Sequence, residues 1–336
     1  MKRTFSRKHF TTATAAALAS VAIIKAPAKA AQFTYKYANN APLGHPLTVR
    51  TRQAIIAINA ESGGRLELQL FPNNQLGGDT AMLSQLRSGA IQFFTLDGGI
   101  LESVVPVAGI QGVGFAFKND AQAFKAMDGS LGAYVRNDIE SKGLWAHPAM
   151  WANGMRNITT STHPIRNAGD LANFKIRTPP GALWVDLFKS FGASPSPINF
   201  NEVYTALQTK IVDGQENPYA IIQNARLFEV QKYLSITNHM WSGFWMLGNM
   251  DAWKALPPDL QKIIAKNFEK YALLNRRDTI QLNDSLADKL RREGLTFNVA
   301  ETGSFRAKLG GFYKKWKGEF GSAAWGRLES YSGKLG

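Results

Sequence analysis

The stretch PPDLQKIIAKNFEKYALLNRRDTIQLNDSLADKLRREG, residues 257–294, decides the fold. Leu260, Ile263, Ile264, Phe268, Tyr271, Leu282, Leu286 and Leu290 recur every three or four residues, and no glycine or proline interrupts them. That spacing puts the apolar side chains on one face of a helix, which Pro257-Pro258 opens and Gly294 closes. A helix of about 35 residues is about 50 Å long at 1.5 Å per residue, more than one small domain's diameter. It is therefore expected to span two domains, unless the lapse in rhythm near Asn275 to Asp278 marks a kink.

Working outward, helical and alternating segments succeed one another. Apolar residues fall at helical spacing from Leu47 to Ala60, and Leu66, Leu68 and Leu70 then alternate with polar neighbours up to Pro72, a half-buried strand. Asp79 reads as the N-cap of a helix through Arg87, followed by an apolar strand from Ile91 to Leu96. Further on come a helix from Ser130 to Ser141, strands from Leu144 to Trp151 and Phe174 to Thr178, and a helix from Ala182 to Phe191. This alternation predicts an α/β fold with helices covering a mostly parallel sheet, and ligands binding beyond the carboxyl ends of its strands. No Pro/Ser-rich linker divides the chain, so its domains should be joined by several crossings.

Of 336 residues, 45% are apolar and 19% charged, none is cysteine, and the net charge is +14. Such a chain buries a large core and is neither disordered nor disulfide-stapled. The missing thiols exclude Cys-ligated zinc, iron–sulfur clusters and a cysteine nucleophile. Residues 1–30 carry six of the positive charges and no acid: a basic start, an apolar run from Ala13 to Ile24, and Ala28-Lys29-Ala30. This three-part pattern predicts an export signal cleaved after Ala30, its run too short to span a bilayer. Ser6-Arg7-Lys8-His9-Phe10 leaves the export route, Sec or twin-arginine, open. The remaining +8 gives no call for a nucleic-acid partner, since the Lys314, Lys315 and Lys317 cluster reads as a solvated helix face.

No enzyme motif is present: no P-loop, no GxSxG, no HExxH, and the five histidines lack chelating intervals. No metal and no cofactor is expected. Asn157-Ile158-Thr159 matches a glycosylation sequon, and Glu216 and Asp213 read as turn and cap residues. Arg156 lies just past a predicted strand and Arg177 ends another, where Pro179-Pro180 stops the ladder. A guanidinium fork fits a carboxylate bidentately, so each is placed to hold an anion. Asn201 reads as the cap of a helix from Glu202 to Thr209, and Asn217 stands before Pro218 as a cap at a helix N-terminus, where negative charge is favoured.

Five motifs in order then resemble one family: FPNNQLG (71–77), GMRNITT (154–160), KIRTPP (175–180), FNEVYTALQ with VDGQENP (200–218), and LPPDLQ (256–261). The chain is similar, over about residues 33–320, to the extracytoplasmic solute-binding proteins of TRAP transporters, the DctP-like family. The resemblance implies a periplasmic, two-lobed binding protein with a hinge. Lobe I takes residues 31–153 with about 242–280, lobe II 154–241 with about 281–330, and the long helix crosses both. It implies that Arg177 forms the principal salt bridge to a solute carboxylate, assisted by Arg156 and Asn217, with Phe200 beside the ligand. Asn40, Gln75, Asp97 and Asn153 are further candidates for solute hydroxyls, and among Trp151, Trp184, Trp241 and Trp245, Trp151 and Trp241 are the candidates for an aromatic wall. The expected function is non-enzymatic capture of an organic acid, most of all a sugar acid such as a uronate or a sialic-acid-like molecule. C4-dicarboxylates, 2-oxo acids and aromatic carboxylates are the rival solutes. A monomer delivering to the small and large TRAP membrane subunits completes the expectation.

Overall fold

A computed structural model describes residues 31–336; the leader reading falls on residues 1–30, outside them. The described strands are β1 (Phe33–Asn39), β2 (Leu66–Phe71), β3 (Phe93–Asp97), β4 (Leu144–Ala146), β5 (Trp151–Thr160), β6 (Lys175–Thr178), β7 (Ser194–Pro197), β8 (Gly214–Asn217), β9 (Tyr233–Asn249) and β10 (Thr296–Val299). They form one sheet in the order β2-β1-β3-β9-β5-β8-β6-β7, with β4 and β10 also pairing with β9. The sheet is mixed where the sequence predicted a mostly parallel one. The reason is β5 and β9, which run antiparallel beside each other through the middle. The 17-residue β9 pairs with β10 at its start and with β3 and β4 at its end, so it belongs to both halves of the sheet.

The predicted Leu144–Trp151 strand is two strands, because the chain turns at His147–Met150 between β4 and β5. Within β5 the register against β9 shifts between Ala152 and Gly154, leaving Asn153 as the extra residue. A bulge of this kind re-aims a side chain, and here the side chain is a candidate ligand group. Asn157 of the sequon is buried in β5, where its Oδ1 accepts from the Thr237 and Asn238 amides, which excludes it as a surface acceptor site.

The long helix runs unbroken from Pro258 to Arg292. It packs on the Pro46–Glu61 helix near its start, on β5 at its middle and on the Tyr219–Asn224 helix further along. The lapse near Asn275 to Asp278 is therefore not a kink. Asn275 Oδ1 accepts from the Ala152 amide at 2.6 Å, and Arg276 donates to the Met150 carbonyl and, bidentately, to Asp128. Asn283 takes the Ala220 amide and donates to the Asn153 carbonyl. Polar side chains interrupt the apolar rhythm because they satisfy buried backbone groups at the edge of β5.

His45 caps the Pro46–Glu61 helix, its Nδ1 accepting from the Leu47 amide at 3.2 Å. Fully buried, it is held neutral, with its pKa pushed down to about 3 from 6.5. The folded pKa is depressed, so the unfolded chain binds the extra proton and stability falls as pH drops from about 6.5 toward 3. His45→Asn, which keeps a capping acceptor, is expected to flatten this part of the stability–pH curve in urea titrations.

Candidate functional site

Near the ends of β1, β3, β6 and β8, the two halves of the sheet enclose a pocket of ≈ 370 Å³, counted out to its mouth. Of the residues predicted from sequence, Arg177, Arg156, Asn217, Phe200, Asn40, Asp97 and Asn153 all line it. Gln75 does not: it is exposed in the turn after β2. Trp151 is wholly buried in the core between the Pro46–Glu61 helix and the long helix. Trp241 is likewise in the core, packed edge-on against Phe117 and Phe124 and donating its Nε1 hydrogen to Asp120. Neither tryptophan lines the pocket as expected.

The tryptophan at the pocket is Trp184, on the Ala182–Ser190 helix, with the Arg156 guanidinium 5.4 Å from its ring centroid. Gly99 and Gly181 admit it: a Cβ on Gly99 would lie 2.1 Å from the indole, and one on Gly181 2.8 Å. Asp79 is a residue that sequence reasoning missed. It is the first residue of the Asp79–Ser88 helix, the N-cap being Gly78, and its carboxyl is buried against the pocket instead of capping. Burial pushes its pKa up, opposed by the Arg177 charge.

The two arginines have different surroundings. Arg156 is already paired: Nε and Nη2 bind the Glu216 carboxylate at 2.5 and 2.7 Å, Nη2 also reaches the Glu216 carbonyl, and Nη1 donates to Ser242. Glu216, read from sequence as a turn residue, is a fully buried strand residue on β8, and it also faces His239 Nε2 at 3.1 Å. Burial works against its charge, but Arg156 and His239 outweigh that and hold the carboxyl below its usual range.

Arg177 instead gives Nε and Nη2 to a single neutral acceptor, the Ile198 carbonyl, at 2.9 and 2.7 Å. Burial lowers its pKa to about 9, with Glu216 and Asp79 opposing the fall and Arg156 adding to it. It remains a cation at neutral pH, fully buried and without an anionic hydrogen-bond partner of its own. A buried cation so placed is costly until an anion faces it.

Asp97 ends β3 and caps the short helix after it, its Oδ1 accepting from the Gly99 amide and its Oδ2 from Ser242 at 2.5 Å. Burial raises its pKa to about 6 against the pull of Arg156 and these donors. Ser242 accepts from both Asn153 Nδ2 and Arg156 Nη1, so one hydroxyl on β9 ties three pocket groups together. Asn217 stands on β8, not at a helix N-cap, and its amide is oriented by Gln215 Oε1 at 2.6 Å. Asn201 caps nothing, because Phe200–Glu202 forms a 3₁₀ turn before the Val203–Gln208 helix. No group of three or more potential metal ligands occurs among the described residues.

The chain matches the profile of bacterial extracellular solute-binding protein, family 7, over residues 38–319. It is 34% identical over 232 residues to the 2,3-diketo-L-gulonate-binding periplasmic protein YiaO of Escherichia coli, covering 69% of this chain and 70% of that one. Among solved structures it resembles a TRAP periplasmic solute-binding protein from a Polaromonas species bound to D-erythronate. The TM-score is 0.85 and the identity 28%, over 90% of this chain and 99% of that one. It also resembles the sugar acid binding protein DctPAm from Advenella mimigardefordensis in complex with galactonate, with TM-score 0.85 and 27% identity over 89% and 97% of the two chains. The extent of these matches and the pocket between the halves of one mixed sheet agree: this chain belongs to the DctP family of TRAP solute-binding proteins.

Proposed function

We propose that this protein is an exported, non-catalytic periplasmic receptor that captures a sugar acid and passes it as a monomer to TRAP membrane subunits. The observation that carries the solute class is the pairing of one buried arginine lacking an anionic hydrogen-bond partner with two buried carboxyls in the same pocket. Arg177 takes the solute carboxylate, Arg156 and Asn217 flank it, and Phe200 lies against the carbon chain. Asp79, Asp97, Asn40 and Asn153 supply acceptors for hydroxyl groups. A C4-dicarboxylate would set its second charge against Asp79 and Asp97, so the pocket's charge favours a polyhydroxy monoacid. Relatives bound to erythronate and galactonate support this reading.

The lobes are taken as 31–153 with about 242–280, and 154–241 with about 281–330. An open form admits solute, and contacts made from both lobes favour the closed one. Glu216, the base that the sequence nominally offered, is committed to Arg156 and His239, which argues against turnover through it. Isothermal titration against D-galacturonate, D-glucuronate, D-galactonate, L-gulonate and succinate tests the reading. At least one hydroxylated acid is expected to bind ten times or more tighter than succinate, by about 1.4 kcal/mol; a preference for succinate would overturn it.

A further inference from the structure

The Asp79–Ser88 helix starts without a local cap. Its N-cap is Gly78, which has no side chain to take the amides of the first turn. An acceptor comes from 119 residues away: Asn199 Oδ1 receives the Thr80 amide at 3.3 Å, while Asn199 Nδ2 donates to Thr80 Oγ1 at 3.3 Å. We propose that Asn199 is a positioning residue that closes the pocket by capping this helix from the opposite side.

Two further observations carry the assignment. Gly78 has ordinary backbone angles, φ −64° and ψ 164°, so its conformation does not call for glycine. The approach of Asn199 does: a Cβ on Gly78 would lie 2.9 Å from Asn199 Cγ. The contact also joins groups that meet the solute. Asn199 stands between Ile198, whose carbonyl holds Arg177, and Phe200, while Thr80 follows Asp79. Across the same gap Gly44 faces Asn224, with a notional Cβ 2.7 Å from Asn224 Oδ1 and 3.9 Å from its Cγ. The cap exists only while the two sides are together, so it adds to the closed form alone. It thereby slows solute release.

The solute readout rests on the sugar-acid reading above; a second readout does not. With the tightest-binding acid of the panel as probe, Asn199→Ala is expected to raise Kd about three- to tenfold, in the range of a lost helix cap. The rise should lie in faster dissociation, with association and the melting temperature of solute-free protein unchanged. Gly78→Ala should weaken binding likewise, and adding Asn199→Gly should restore part of it. Unchanged dissociation in Asn199→Ala overturns the proposal.

The second readout uses the absence of cysteine. Gly44→Cys with Asn224→Cys is expected to form a disulfide that holds the two sides together without solute. In that locked protein the Thr80 amide should exchange with deuterium about fivefold slower with Asn199 than with alanine there. Equal exchange overturns the closing contact. Should no panel acid bind the parent protein, the sugar-acid reading fails and this exchange result alone decides the cap.

Discussion

Replacing Arg177 with alanine is expected to weaken binding of the preferred sugar acid by about two to three and a half orders of magnitude, read by titration calorimetry. The size follows from what is removed: one member of a charge pair formed away from water, worth about 3–5 kcal/mol when its partner is left behind. Arg156 cannot substitute, because its Nε and Nη2 are committed to Glu216. A methionine at the same position separates function from stability. In the fold Arg177 is a desolvated cation with its pKa depressed by burial to about 9, below the ordinary arginine value. Below about pH 9 it is charged in both states and the burial penalty is present in full. Above about pH 9, up to the ordinary arginine value, the unfolded chain binds the extra proton, so stability rises with pH. Arg177→Met is therefore expected to melt at or above the parent's temperature while losing affinity, the trade found where a residue serves binding at stability's expense. A folded Arg177→Ala protein that binds as tightly as the parent would remove Arg177 from the carboxylate role.

Glu216→Gln is expected to produce the largest loss of stability of any single pocket substitution, about 3–5 kcal/mol, because it leaves the Arg156 charge buried without compensation. At a few degrees per kcal/mol in a chain of this size, the melting temperature should fall by roughly 10 °C. The pH dependence supplies a second measurement. The folded carboxyl lies below its ordinary 4.5, so its contribution is whole above about pH 4.5 and is lost as pH falls through the folded value. The parent should therefore lose stability steeply on acidification in a range where Glu216→Gln is flatter. Parallel acid-unfolding curves would show that the Arg156–Glu216–His239 chain is not what holds β5, β8 and β9 together here.

How much of this was legible in sequence depended on whether a residue's task is set by its neighbours along the chain. The long helix was, since periodicity is local, and so was the place of Arg177 near the end of a strand that Pro179 follows, whereas Asn217 was read as a helix cap and stands on β8. Asp79 was not: an aspartate before a helical run reads as a cap. Only the fold shows that Gly78 takes the cap position while the carboxyl turns inward. Trp184, not Trp151 or Trp241, meets the pocket because Gly99, 85 positions earlier, leaves room for its ring. No spacing rule connects those two residues. Glu216 was read as a turn residue because its partners, Arg156 and His239, lie on different strands.

The unbroken 258–292 helix has a mechanical consequence. Its polar anchors to the chain around β5 are gathered within residues 275–283, where the two halves of the sheet meet, and its apolar ends lie against one half each. A stiff rod clamped near its centre behaves as an axle: its arms turn, but the bearing barely moves. Asn275, Arg276 and Asn283 form that bearing, and changing them is expected to alter how freely the halves swing.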